Sequence, residues 1–328
     1  FCRNKTSCAW NRGRARLAAS QDPLNHQDRY WSDDAPSSIY APSDMAPYKD
    51  RADVTLVGNV FSPNDSGSQL VVARLQVGAI DKRVAAHSER WLGANGALCK
   101  GAPFHYTPLR YEHAAGGADT DNPVGRPSAG SVDCPSLPTL LSAGSSWGPH
   151  CFAPIAEAWP ARRRLWGDAP NNGGTGEWRR RALHADLDRR YFNAAPDDQR
   201  LETLREDERL IISHMHPSHT HLECSLPGLR PRALSQRDGS EVRLTADSLW
   251  IDMTRTVCTM TWRGVIENRQ QDLGDWILVE LDERDSDSDS FPPDRVSGVE
   301  LVGSAAPHRE RLPTLDLAAS GEFFESQP

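Results

Sequence analysis

The apolar and polar positions alternate most regularly in VRLTADSLWIDMTRTVCTMTW, residues 242–262, where successive side chains swap faces as they do in a strand with one wet side. Around it, the pattern predicts strands at 209–214, 221–226, 241–244, 248–252, 257–263 and 276–282. Earlier, ADVTLVGNVFSP and QLVVARLQVG are β-branched runs separated by NDSGS, whose Asn, Asp and Gly suit a turn. They read as a hairpin, with a third strand near 82–87. From 93 to 154, Gly, Pro, Asn and Ser are too frequent for helix or strand to run far, so long ordered loops are expected. Helical signals are confined to 154–164 and 197–204, the second opened by Pro196 and two acidic residues. The architecture that results is mainly β: an antiparallel β-sandwich or packed sheets with long ordered loops and a few short helices.

Neither end shows a sustained period. Residues 1–46 are polar and rich in Pro, Asp and Ser, and are expected to be a loosely ordered lead-in to a β-rich domain over 47–283. After Asp282 the run ERDSDSDSF has nothing to bury, which predicts a mobile tail over 284–328. The chain begins with Phe1, which reads as a fragment or a misassigned start.

Composition narrows the classes. The 328 residues are 38% hydrophobic, with 24 Gly and 24 Pro, which suits a globular but loop-heavy chain and excludes collagen-like or wholly disordered ones. A net charge of −8 provides no global positive field for phosphate backbones, so generic nucleic-acid binding is disfavoured. Apolar runs such as 210–212 fall far short of the roughly 18 residues of a membrane span, and a soluble protein without membrane partners is expected. Seven cysteines without a C-x-x-C pair argue for reduced thiols in the cytoplasm and against a disulfide framework.

The loudest chemical signal is LIISHMHPSHTHLEC, where His214, His216 and His219 form H-x-H-x-x-H after a strand, with His221 beyond. This is how a metallo-β-lactamase-type zinc site begins. The acidic residue usual before the third histidine is replaced by Ser218, and only His308 follows downstream of the cluster. Loop histidines are therefore the preferred reading, and a metal-dependent hydrolase is the rival one. No nucleophile elbow occurs in PSAGSVD or SAGSSWG, and His150 next to Cys151 lacks an orienting third group. No Walker loop or dinucleotide loop is present, and no cofactor is implied. Paired carboxylates such as Asp197 with Asp198 suit solvated faces and caps. The arginines at 162–164 and 179–181, interleaved with Trp159, Trp166 and Trp178, suit Arg–Trp stacking or a recognition surface.

The loop segments carry a more specific pattern. Lys49 and ADVTLVG bring Asp53 and Gly58, and Lys82 leads to Glu89, Arg90 and Trp91. PFHYTPLRYEHAAGG then places Pro108, Leu109, Tyr111, Glu112, Gly116 and Gly117, and Asn122, Pro123 and Gly125 form N-P-x-G. Pro154, Ile155, Trp159 and Arg162 follow, and then YFNAAPDDQ with Asn193, Pro196, Asp198 and Gln199. Glu208, Trp262 and Arg263 close the series. In this order the chain resembles the bacterial domain-of-unknown-function family 2169, over about residues 46–265. The family's glycines are replaced by Ser88 and Glu206, and its aromatic by Ala115. Those losses are expected to loosen their turns. The resemblance implies a non-enzymatic adaptor or chaperone-like accessory protein of type VI secretion. Such a protein binds an effector or PAAR-like protein for loading onto the VgrG spike, and the motif residues are structural or partner-binding. It implies no catalytic residue, no metal and no cofactor.

Overall fold

A computed structural model describes residues 2–10, 13–33, 37–127, 136–144, 148–166, 187–235, 239–265, 277–282 and 300–301. Two large sheets dominate it. The first runs, from edge to edge, through Arg200–Leu201, Ala52–Val57, Thr245–Asp252, Val257–Gly264, Cys2–Ala9 and Glu300–Leu301, with Arg16–Leu17 on the other end of Cys2–Ala9. The second orders Leu140–Ser142, Ile80–His87, Leu70–Val77, Arg209–Ser213, His221–Ser225 and Gly13–Arg14. Their inner faces supply one continuous core, with Val54, Leu56, Leu249, Ile251 and Met260 from the first sheet and Val71, Leu75, Val84, Leu210 and Ile212 from the second. A smaller sheet joins Glu241–Arg243, Arg230–Ser235 and Ile277–Asp282. The protein is mainly β with packed sheets, as its alternation predicts.

Several expectations change. Ala52–Val57 and Leu70–Val77 do not form a hairpin. Gly58 ends the first of them, and the two strands lie in different sheets. The tight hairpin instead joins Leu70–Val77 to Ile80–His87 through Gly78 and Ala79, where Gly78 adopts φ 54°, a conformation that glycine takes at little cost. The sheets are mixed, because Ala52–Val57 runs parallel to Thr245–Asp252 and Gly13–Arg14 parallel to His221–Ser225. Among the described residues helix is scarcer than expected, being the four residues Pro160–Arg163 and single 3-10 turns such as Asp197–Gln199.

The lead-in is not loose. Cys2–Ala9 is an interior strand of the first sheet, paired along its whole length with Val257–Gly264. It reads as polar because both of its faces meet protein. Thr6 and Cys8 look into the core, while Arg3, Lys5 and Ser7 are buried on the other face beneath residues 21–49. The domain therefore begins well before residue 47. The expected tail over 284–328 lies outside the described residues except for Glu300–Leu301, which pairs with Cys2 and Arg3.

Candidate functional site

Alternation along the first sheet puts Asp53, Ser248, Thr261 and Lys5 in one row across four strands, on the face turned away from the core. Such a row must be satisfied from above, because buried charges without partners are expensive. Segment 21–49 supplies the partners. Lys49 Nζ donates to Asp53 Oδ2 (2.7 Å) and Ser248 Oγ (2.6 Å), and Lys5 Nζ donates to Asp44 Oδ2 (2.8 Å). Thr261 Oγ1 donates to Asp44 Oδ1 (2.7 Å). Arg3 and Arg263 reach the carbonyls of Asp44, Met45 and Ala46, and Arg263 also pairs with Asp247. Burial would raise the carboxyls of Asp44 and Asp53, but the ammonium groups of Lys5 and Lys49 and the hydrogen bonds hold both below the ordinary range. A small cavity lies here, lined by Lys5, Asp44, Lys49, Asp53, Ser248 and Trp250.

The motif residues from distant loops join this layer at the Ala52–Val57 edge. Asn193 Nδ2 donates to Asp53 Oδ1 and the Arg51 carbonyl (both 2.8 Å), while the Ala194 amide donates to Asp53 Oδ2 (2.8 Å). Gln199 Nε2 donates to the carbonyls of Val54 (2.7 Å) and Phe152 (3.0 Å). Its Oε1 accepts from Lys82 Nζ (2.7 Å), which also donates to Asp198 Oδ1 (2.8 Å). Lys82 comes from the second sheet, so this ammonium ties the YFNAAPDDQ loop to both sheets. Burial pulls its pKa down, opposed by Asp198.

A second knot forms around PLRYEHAAGG. Tyr111 is buried with its ring edge-on to Trp159, centroids 5.3 Å apart, and burial raises its hydroxyl well above the usual range. Glu112 accepts from the Ser38 amide (2.8 Å) and hydroxyl (2.6 Å). Asn122 Nδ2 donates to the carbonyls of Tyr111 and Ala115 (both 2.9 Å). A Cβ on Gly116 would sit 2.2 Å from the Asn122 carbonyl oxygen, and one on Gly125 would sit 2.2 Å from Asn122 Nδ2, so only glycine admits this approach. Arg162 donates to the carbonyls of Tyr191 and Ile155, and Tyr191 donates to Glu157 Oε1 (2.5 Å).

These contacts link described segments from both ends of the span 4–263 into one scaffold, and that span is matched by the family described as an uncharacterized protein conserved in bacteria (DUF2169). The chain belongs to that family. The match starts at Asn4, inside the Cys2–Ala9 strand, and ends at Arg263, one residue past its register partner Trp262 on the neighbouring strand. No curated protein and no solved structure matches the chain.

The remaining DUF2169 positions are also built into the frame. The Leu109 amide donates to the Gly58 carbonyl, and Pro108 lies opposite Asn59 in a short strand pair. Arg90 donates to the Pro138 carbonyl (2.7 Å), and the amides of Gly117 and Gly125 donate to the Asn122 carbonyl just before Pro123. Pro196 O accepts from the Gln199 amide, Glu208 O accepts from the Leu226 amide, and Trp262 Nε1 donates to Thr6 Oγ1 (2.9 Å). Asp198 keeps a half-exposed carboxylate. The replaced positions are not strained. His214 and Thr256 alone have positive φ among the described non-glycine residues, so Ser88, Ala115 and Glu206 adopt ordinary backbone. Ser88 donates to Gln69, and Glu206 pairs with Arg243.

The histidines do not converge. His216 and His219 touch through their Nδ1 atoms (3.1 Å), His221 faces Ser213, and His214 adopts a left-handed backbone at φ 61°. Among the described residues no group of three or more His, Cys, Asp or Glu side chains is placed to hold a metal. Burial pushes the Cys151 thiol up to about 11, the opposite of an activated nucleophile. Trp178 and arginines 179–181 lie outside the described residues. The residues that sequence reasoning missed are Arg3, Lys5, Ser38, Asp44, Glu157 and Ser248. The period-2 alternation of Arg3, Lys5 and Ser7 was the available signal for the strand that carries the first two.

Proposed function

We propose that this protein is a non-enzymatic adaptor of type VI secretion, which holds an effector or PAAR-like protein for loading onto the VgrG spike. The observation that carries the reading is the division of labour between the two sheets. The family signature is spent on a buried, mutually bonded frame, while the outer face of the second sheet stays open among the described residues. That face carries Leu70 and Val72, 51% and 39% exposed, followed along the same strand by the Arg74–Asp81 pair, with the Arg209–Glu223 pair towards the other end of the sheet. A rigid sheet with exposed apolar residues bordered by charges suits recognition of a protein surface. No helix among the described residues is long and apolar enough to cross a membrane. The resemblance to the accessory family adds the choice of partner and a cytoplasmic site of action.

The test is co-purification from the native host. The protein is expected to co-elute with an effector or PAAR-like protein encoded near it, and deletion of its gene is expected to lower that effector's level or secretion while the apparatus still fires. Unchanged effector levels and secretion, together with no co-elution, reject the reading.

A further inference from the structure

Strand register makes a thiol cluster that the polar frame does not use. In the first sheet Cys8 lies directly opposite Cys258, and their side chains hydrogen-bond to each other. Cys224, from His221–Ser225 of the second sheet, enters the same core from the facing sheet. All three are free thiols in the common core, none more than 1% exposed. They come from three strands and two sheets. Buried cysteine often serves as a small apolar residue, but packing alone does not require two of them in direct cross-strand register.

Opposite residues of an antiparallel pair have Cα atoms about 4.5–5.5 Å apart. A disulfide accepts about 4.4–6.8 Å, so the backbone is already set for a bond. We infer that Cys8 and Cys258 are an oxidisable pair whose disulfide latches the Cys2–Ala9 strand into its sheet, with Cys224 as the alternative partner. The oxidant is a small disulfide such as oxidised glutathione. One thiolate attacks it, forming a mixed disulfide and releasing one reduced molecule. The second protein thiolate then displaces the other. Two protein thiols lose two electrons and two protons in total, one S–S bond breaks and one forms.

Burial also sets the rate. The Cys8 hydrogen bond and burial hold the Cys258 thiol well above its ordinary range, and burial raises Cys224 to about 12. The thiols are therefore protonated and shielded in the closed sheet, and reaction waits for the strand to open locally. Opening exposes more than thiols, because the same strand carries Arg3 and Lys5, which hold segment 21–49 in place. A disulfide completed during such an opening holds the strand in place once the sheet has closed again, and so suppresses further opening.

The full chain is incubated with oxidised glutathione under native conditions and, separately, in denaturant, then acid-quenched, alkylated and mapped by non-reducing mass spectrometry. The expected product of the native reaction is a Cys8–Cys258 linked peptide, enriched over the denatured reaction, with a raised melting midpoint that dithiothreitol reverses. Sub-denaturing urea should speed its formation, and Cys258→Ser should redirect Cys8 to Cys224. Full alkylation of Cys8 and Cys258 after native oxidation overturns the inference, as do links to Cys99 or Cys151 at equal yield. If Cys258→Ser fails to fold, the wild-type peptide map and melting shift decide alone.

Discussion

At Asp53 the balance of burial against charge can be read from one side chain. The carboxylate is almost fully buried yet accepts from Lys49, Asn193 and the Ala194 amide. Because its native pKa is lowered, as is that of Asp44, the stability it contributes is complete above the unfolded carboxyl range, near pH 4, and is lost as pH falls through the lower native values. Chemical denaturation across pH should therefore show stability falling below about pH 4. Lys49→Met leaves the carboxylate without its cation and should cost about 3–5 kcal/mol at pH 7. Burial then dominates and raises the Asp53 pKa, so the deficit should shrink as the pH approaches 4. A deficit that is equal at both pH values would show that the pair carries little of the stability. The sequence marks Lys49 and Asp53 as motif positions four residues apart, but their burial and their pairing depend on Ser248, Asn193 and Ala194, far away in the chain.

At the scale of elements, the Cys2–Ala9 strand shows why polarity misleads. CRNKTSCA alternates, yet its outward set is Arg, Lys and Ser, which normally marks a solvent face. Here the outward face is covered by residues 21–49, and its charges are paired with Asp44 and with backbone carbonyls. Removal of residues 1–9 would strip an interior strand and leave Asp44 without its ammonium partner. The truncated chain is expected to be insoluble or to lose its cooperative thermal transition, measured by circular dichroism. A truncation that melts like the full chain would return this segment to the status of an appendage. The same logic explains the misplaced hairpin. Turn residues at 64–68 announce a reversal but do not say which strand the chain returns to, and Gly58 with the parallel partner Thr245–Asp252 takes Ala52–Val57 into the other sheet.

For the whole molecule, one core between two sheets separates a rigid interior from an open outer face. Val72→Asp on that face should leave the melting midpoint within a few degrees, since Val72 is exposed and strand propensity costs at most about 1 kcal/mol. It should weaken co-elution with the partner, as measured by quantitative pull-down. Full retention of binding by Val72→Asp and Leu70→Asp would move recognition to another surface. The sequence by itself determined the β-rich class, most strand positions after residue 208, and the family motif with its residues. Those depend on local alternation and on residue type, which short windows record. Only the tertiary structure decided that the motif residues are a buried frame, that the first strand is interior, and that Lys82 bridges the sheets. These are contacts between positions tens to hundreds of residues apart, and burial of a polar side chain depends on what covers it, which no local pattern contains.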